Sequence, residues 1–313
     1  MGRIRNLQLE DKILSNIARG YKDMGFIAET LLPSVSVDTE VGRIRKFGKA
    51  FFRVYQTERA LRAKTNRVPA DDIDTIPYEL AEHDIALAID YREEKASTST
   101  ANSYNIKARY AQGTSRILQR GNEVAAAEIL QNPATYPAGH SSILGAGDRF
   151  DEDTSDPIEI LQDAAQTVTS KIGIPPNTLV LDRLSYTALK NHPGLIERIK
   201  YSSVGVMNID LMQQLFDMPN IILADSVYAD SDVSNFTYIW DRCAIFAYVA
   251  PPVGGQNDPE EPSFGYRLQL QPGIVSDEYQ EEGGKITNVR STDIYKHYVL
   301  GGEAGFLIQS TVA

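Results

Sequence analysis

Two acidic clusters are the residues of this sequence whose types and spacing most resemble a metal site. The first cluster comprises Asp148, Asp151, Glu152, Asp153 and Asp156, and the second comprises Asp71, Asp72 and Asp74. Carboxylates of this kind suit Ca²⁺, but the first cluster lacks the central glycine and the trailing glutamate spacing of an EF-hand loop. We therefore predict a solvated loop and a helix cap at the first cluster, and a solvated turn at the second.

Catalytic spacings are missing from the rest of the chain. The four histidines are His83, His140, His192 and His297, and no pair of them has the spacing of a zinc site. Gly145-Ala146-Gly147 is not followed by a Gly-Lys-Ser/Thr phosphate loop, and the sequence contains no Gly-x-Ser-x-Gly elbow. Cys243 lies in an apolar run and is expected to be a buried apolar side chain. The sequence thus predicts no enzyme activity, no cofactor and no metal.

Composition is typical of a soluble globular protein. The chain has 313 residues, of which 42% are hydrophobic, enough for one large domain or two ordinary ones. A single cysteine excludes an intrachain disulfide framework and fits a reducing compartment. The first 16 residues lack the apolar core of a signal peptide, and no apolar run approaches the ~20 residues that span a bilayer. We expect a protein without a membrane segment.

Charge is distributed unevenly along the chain. Residues 1–67 carry 14 Lys/Arg and 7 Asp/Glu, whereas residues 68–313 carry 17 and 35. Such a division often indicates a nucleic-acid-binding arm. It equally fits a basic segment of one copy that lies across the acidic body of another copy, since opposite potentials favour that contact.

The region from Asp156 to Pro251 predicts a compact α+β domain. Asp156-Pro157 begins a helix that Gly173 ends, because Asp caps helix N-termini and Gly suits the left-handed position after a helix. The remaining elements are buried strands at 178–181 and 221–224, helices at 184–190, 195–201 and 209–216, and a hairpin of 238–240 with 243–250 that turns at Asp241-Arg242.

The N-terminal third predicts a long two-stranded ribbon. Basic and apolar residues alternate in 42–49, charged and small residues dominate 57–74, and alternation returns in 78–91. A hairpin of this length has little core of its own and needs a partner surface. After it, 103–131 is the longest helical candidate, with Tyr110, Thr114, Ile117, Val124 and Leu130 facing inward. A helix of roughly 25 residues there would be about 37 Å long.

The order of these parts resembles the major capsid proteins of tailed bacteriophages. Several phrases between residues 25 and 270 carry the resemblance. They include Leu32-Pro33 leading into Gly42-x-Ile44-x-x-Phe47, Asp156-Pro157-Ile158-Glu159-Ile160-Leu161, Pro176-Asn177-Thr178-Leu179-Val180, Tyr186-x-x-Leu189-x-x-His192-Pro193, Tyr238-Ile239-Trp240 and Pro262-Ser263-Phe264-Gly265-Tyr266. No single phrase is specific, and the resemblance lies in their order.

The resemblance implies the α+β fold shared by tailed-phage capsids, encapsulins and herpesvirus capsid floors. It divides the chain into an N-terminal arm (1–33), an extended β-hairpin loop (34–90), a peripheral domain with a long spine helix (91–165), an axial domain with a central mixed sheet (166–285) and C-terminal strands that return to the peripheral domain (286–313). The function implied is a head protein that assembles as hexamers and pentamers into an icosahedral shell around double-stranded DNA, without sequence-specific binding.

The resemblance also implies partners and contact residues. Besides other copies of itself, we expect a separate scaffolding protein, since no long N-terminal extension carries one, together with a portal protein and a decoration protein. Assembly is expected in the host cytoplasm, and the product is the virion. The inter-subunit contacts expected on the extended loop are Arg43, Arg45, Lys46, Lys49, Arg59, Arg62, Lys64 and Arg67. The alternatives are an encapsulin-like compartment of the same fold, a soluble α+β enzyme, and a nucleic-acid-binding protein that uses residues 1–67.

Overall fold

The structure is a computed structural model that contains both helices and strands. It describes residues 25–45, 54–55, 57–67, 75–99, 105–199, 207–229, 235–252, 254–255, 257–259 and 261–313.

Several helices begin at side-chain caps that the local sequence supplies. The helices are α1 (Ala28–Leu31), α2 (Tyr91–Ser99), α3 (Ile106–Leu130), α4 (Pro157–Ile172), α5 (Arg183–Asn191), α6 (Pro193–Ile199) and α7 (Ile209–Phe216). The Asp156 carboxylate accepts the Ile158 and Glu159 N–H groups, and Gly173 ends α4 in the left-handed conformation. Both ends of that helix are therefore as the sequence predicts, because capping depends only on neighbouring residues.

Two five-stranded sheets organise the chain. The strands are β1 (Ser34–Val37), β2 (Val41–Arg45), β3 (Thr75–Glu79), β4 (Ala81–Asp90), β5 (Ser141–Ile143), β6 (Thr178–Asp182), β7 (Asn220–Ala224), β8 (Val227–Ala229), β9 (Phe236–Tyr238), β10 (Cys243–Ala247), β11 (Gly265–Leu270), β12 (Val275–Gln280), β13 (Ile286–Val299) and β14 (Gly305–Gln309). One sheet contains β1, β4, β11, β12 and β13, and the other has the order β5-β14-β10-β6-β7. β2 pairs with β3, and β8 pairs with β9.

The end of the chain divides between the two sheets. The sequence indicates a strand pair within 286–300, but β13 is one continuous strand, because β4 pairs along one edge and β11 and β12 pair along the other. After β13, β14 joins the second sheet, between β5 and β10. Residues 286–313 therefore contribute one strand to each sheet.

The expected hairpin through Asp241-Arg242 is wrong. β9 pairs with β8, and β10 pairs instead with β6 and β14. All five residues of β10 are buried, so this strand takes the centre of a sheet, where it needs a partner on each edge. The turn itself is present, since Arg242 adopts a positive φ of 46°. It connects β9, which pairs with β8, to β10, which belongs to the second five-stranded sheet.

The predicted long helix is confirmed as α3, and among its expected inward positions Tyr110 and Val124 are partly buried against the core. Thr114 and Leu130 are fully buried, but Ile117 is 43% exposed. The helix packs on β13 and β4, and its buried residues there include Ala111, beside Ile89 and Val289. Glu123 and Ala126, further along the helix, are buried against the start of α1 and Trp240. Small residues allow close approach of the helix to the sheet, and the hydroxyls of Thr114 and Ser291 join the two at 2.8 Å.

Two glycines give opposite predictions for the same substitution to alanine. A Cβ on Gly305 would lie 2.2 Å from Cε2 of the fully buried Phe264, whereas a Cβ on Gly121, in α3, meets nothing within 4 Å. We expect Gly305→Ala to lower the free energy of unfolding by about 1–3 kcal/mol through overpacking. Gly121→Ala should raise it by about 0.5–1 kcal/mol, because alanine stabilises a helix interior. Denaturant titration of both variants checks this, and equal effects would contradict it.

Candidate assembly surface

The base of the ribbon is fixed to the first sheet. Ile44 of β2 and Tyr78 of β3 are buried in a cluster with Tyr266 and Leu268 of β11. The Tyr298 hydroxyl accepts the Glu79 N–H and donates to the Glu79 carbonyl, both at 3.0 Å. The predicted two-stranded ribbon is therefore present at its base as β2 and β3, where apolar packing and a tyrosine bridge anchor it. Most of the predicted return strand, 78–91, is instead β4, which pairs with β13.

The tip of the ribbon, defined here as residues 57–67, is exposed and basic. All eleven of its residues are exposed, and Leu61 is 91% exposed. Within the tip, the Arg59 guanidinium donates to the Ala63 carbonyl and the Asn66 amide donates to the Glu58 carbonyl at 3.1 Å. Its four basic side chains form no ion pair with any residue that the structure describes. The described part of its own subunit therefore does not neutralise this charge.

The predicted contact residues are distributed along one ribbon. Arg59, Arg62, Lys64 and Arg67 lie in the tip, and Arg43 is exposed on β2. Arg45 is the last residue of β2, whereas Lys46 and Lys49 lie outside the described residues. Their contact with a neighbouring subunit stays a prediction.

A buried carboxylate, which the sequence analysis missed, ties the start of α1 to α3 and to Trp240. The Glu123 carboxylate accepts the N–H groups of Ile27 and Ala28 at 3.0 and 2.9 Å, and the Trp240 indole N–H at 2.7 Å. Glu123 has no exposed surface, and this burial raises the pKa of its carboxyl despite the three donors. Glu123 lies three, four and seven residues before the buried Ala126, Ala127 and Leu130. This helical spacing is the sequence signal that places Glu123 on the buried face.

A second buried polar cluster joins β1, β11 and β13. The Arg267 guanidinium donates to the Asp293 carboxylate and, at 3.1 Å, to the Ser34 hydroxyl. It also stacks on the Tyr295 ring, 4.3 Å from the ring centre. Arg267 and Asp293 are 4% and 2% exposed, so the charges of this pair are almost removed from water. Sequence alone gave no signal for the pair, which adjacent strands bring together.

His297, beside this cluster, predicts a pH-dependent stability. Burial, together with the charges of Arg267 and His83, lowers the pKa of His297 to about 4. Because the unfolded value is near 6.5, this group contributes stability that is present above pH 6.5 and is lost as pH falls toward 4. The free energy of unfolding of the wild-type protein falls between pH 7 and pH 4, and we expect His297→Gln to remove about 2–3 kcal/mol of that fall. Chemical denaturation across that range measures it, and parallel curves for the two proteins would contradict it.

The residues first considered for chemistry have structural roles in the described parts of the chain. Asp156 caps α4, and Asp151 accepts the Ala313 N–H at 3.1 Å. His192 lies between Ser155 and the Glu152 carbonyl. Cys243 is buried as predicted, and burial raises the pKa of its thiol well above the ordinary value. Asp71, Asp72 and Asp74 lie outside the described residues.

The described residues contain neither a candidate metal cluster nor a candidate membrane-spanning helix. Within the ranges given above, His, Cys, Asp and Glu nowhere converge in a group of three that could hold a metal ion. In the same ranges, no helix has the length and apolar character needed to cross a membrane.

Comparison with solved structures identifies the fold. A phage-related protein from Bordetella bronchiseptica is similar over 96% of this chain and 97% of that one, with a TM-score of 0.80 and 28% identity. The capsid of cyanophage P-SCSP1u matches 92% of this chain and 89% of its own with a TM-score of 0.56, and the SrpI encapsulin of Synechococcus elongatus matches 97% and 96% with a TM-score of 0.54. Both are 12% identical to this chain and show the fold alone.

Curated sequences identify the family, although no family model matched the chain. The major capsid protein of Pseudomonas phage JBD67 is 23% identical over 97% of each chain. The major capsid protein of Burkholderia phage BcepMu is 41% identical over 309 residues, which are 98% of each chain. This full-length similarity agrees with the capsid fold and with a ribbon that has a fixed base and an exposed tip. The chain therefore belongs to the major capsid proteins of bacteriophages.

Proposed function

We propose that copies of this chain tile a closed icosahedral shell, as hexamers and pentamers, around packaged double-stranded DNA. The observation that carries the proposal is the ribbon, whose base is anchored in its own subunit while the basic tip has no ion-pair partner among the described residues. In a shell, each tip reaches across a neighbouring copy. As a major capsid protein, the chain is a structural component of the virion and not an enzyme.

The proposed division of labour follows the five ranges from the sequence. The arm (1–33) and the extended loop (34–90) make contacts between subunits, the peripheral domain (91–165) holds the spine helix, and the axial domain (166–285) surrounds the capsomer centre, with 286–313 returning to the body. Scaffolding, portal and decoration proteins are the further partners proposed, with assembly in the host cytoplasm.

An encapsulin-like compartment is the second candidate, because the SrpI encapsulin shares the fold over 97% of this chain. The 41% identity to a phage major capsid protein favours the DNA-filled shell. Particles that contain a protein cargo bound through a short peptide, and no DNA, would favour the compartment.

Negative-stain electron microscopy of the purified protein tests the proposal. We would image a concentration series, alone and after co-expression with its genomic neighbours. Shells, or hexameric and pentameric capsomers, are the expected result. Small particles under every condition, with a protease-resistant tip, would overturn the proposal.

Charge reversal at the tip gives the third prediction. We expect Arg59→Glu, Arg62→Glu and Lys64→Glu together to reduce shell yield several-fold, because the tip then repels the acidic surface that it contacts. The melting temperature of the unassembled subunit should stay within a few degrees of wild type, since exposed substitutions cost about 0.5 kcal/mol or less each.

A matched triple variant controls for net charge. Arg120→Glu, Arg198→Glu and Lys285→Glu also reverse three exposed cations, but outside the ribbon. Sedimentation and microscopy would then compare the two variants. Equal shell yields for both would show that the position of the charge is irrelevant and would contradict the prediction.

A further inference from the structure

A bulge in the first sheet opens a cavity between the strands and α3. Gln269 pairs with Tyr295 of β13, and Val275 pairs with Thr292 of the same strand. The chain between Gln269 and Val275 is longer than the stretch of β13 that it faces, so the extra residues between β11 and β12 leave the sheet. The resulting cavity of about 340 Å³ lies between this bulge, α3 and the start of α1. Its lining residues include Phe26, Glu29, Asn122, Glu123, Arg267 and Asp293. We name it the acidic cavity.

Two buried polar atoms of lining residues lack hydrogen-bond partners. Asn122 and Arg267 are 7% and 4% exposed, and neither the Asn122 Oδ1 nor the Arg267 Nε has a partner among the residues that the structure describes. Buried polar atoms are almost always hydrogen-bonded, because leaving one unpaired costs free energy. An occupant that satisfies both atoms must bring one donor and one acceptor.

The ionisable lining of the cavity is mostly negative. Glu29, Glu123 and Asp293 contribute carboxylates, and Arg267, which is bonded to Asp293, contributes the opposing charge. Burial raises the pKa of Glu123, and the nearby charge of Glu29 raises it further. A cation in the cavity would relieve that repulsion. The favoured occupant is therefore a peptide segment with a basic side chain, whose backbone carbonyl could accept from Arg267.

We propose that the acidic cavity of one subunit receives a basic side chain from the ribbon tip of a second copy. This inference rests on the proposed function, in which tips reach neighbouring copies, and it names the surface that they reach. Within one subunit, the four basic side chains of the tip form no ion pair with any described residue. Charge complementarity therefore selects another copy of this chain as the occupant.

Cysteine pairs test the contact in assembled shells. Glu29, exposed at the cavity, would be changed to cysteine and combined in turn with Arg59→Cys, Arg62→Cys, Lys64→Cys and Arg67→Cys. Mild oxidation followed by non-reducing electrophoresis should give covalent dimers and larger species for at least one pair. The native Cys243 is buried and should not contribute.

Matched controls use Glu128, which is exposed on α3 but does not line the cavity. Glu128→Cys with the same four tip cysteines should give no ladder above the single variants. If all four Glu29 pairs resemble these controls in intact shells, the inference is wrong, although the proposed function stands. If the wild-type chain forms no shells or capsomers under any condition, the proposed function fails first.

A charge exchange provides an independent measurement. Glu29→Lys alone and Arg62→Glu alone should each raise the protein concentration needed for assembly about tenfold, equal to 1.4 kcal/mol, and the double variant should recover most of the loss. Glu128→Lys should leave that concentration near the wild-type value. The same exchange would be repeated with Arg59, Lys64 and Arg67 in place of Arg62 as the tip partner. The proposal is wrong if the losses are additive in all four double variants.

Discussion

Replacing Glu123 with alanine is expected to lower the free energy of unfolding of the unassembled subunit by about 3–5 kcal/mol. The substitution leaves three buried donors, the Ile27 and Ala28 N–H groups and the Trp240 indole, without their acceptor. Each unpaired buried donor costs about 1–3 kcal/mol, and the total is less than the sum because burial of the carboxylate is itself unfavourable. A domain is stable by only about 5–15 kcal/mol, so this loss is severe.

Two further variants separate the role of the carboxylate from that of the helix. Glu123→Gln keeps one acceptor oxygen, and we expect about half the loss. Glu128→Ala removes an exposed glutamate of the same helix and should change stability by about 0.5 kcal/mol or less. Denaturant titration gives the three values, and hydrogen exchange at Ile27 and Ala28 reports whether the start of α1 is released. A loss below 1 kcal/mol in Glu123→Ala, with unchanged exchange, would contradict this role.

Breaking the Arg267–Asp293 pair is the second substitution with a large expected effect. Asp293→Ala leaves a guanidinium that is 4% exposed without its counter-charge, and the expected loss is about 3–5 kcal/mol. Arg267→Met leaves the Asp293 carboxylate without its counter-charge, although the Gln269 amide still donates to it at 2.7 Å. The substitution also removes the bond to Ser34 and the stacking on Tyr295. Both single variants should therefore be strongly destabilised.

The double variant decides whether the pair acts as a unit. Arg267→Met with Asp293→Ala removes both charges, so no uncompensated ion stays buried, and its loss should be well below the sum of the two single losses. The exposed pair of Arg183 and Asp225 offers a matched comparison, where each single variant should cost about 1 kcal/mol or less. Additive losses at Arg267 and Asp293 would show that the charges do not depend on each other.

Several features of this protein follow from the sequence alone because they depend on neighbouring residues. The Asp156 cap, the glycine that ends α4, the strands at 178–182 and 220–224 and the burial of Cys243 have this origin. The long α3 helix and the alternating ribbon base could also be predicted, since periodicity is local. Together with the order of its phrases, these features were enough to indicate the capsid family.

Only the tertiary structure decided which strands pair and which polar groups are buried. β10 takes β6 and β14 as neighbours, although the chain beside it suggests a hairpin, because a fully buried strand requires partners on both edges. Arg267 and Asp293 look like solvent-facing charges in the sequence, and they become buried, as does Glu123, when α1, α3 and the first sheet meet. The acidic cavity has the same origin. It depends on a bulge and on contacts between residues more than 90 positions apart, which no local pattern encodes.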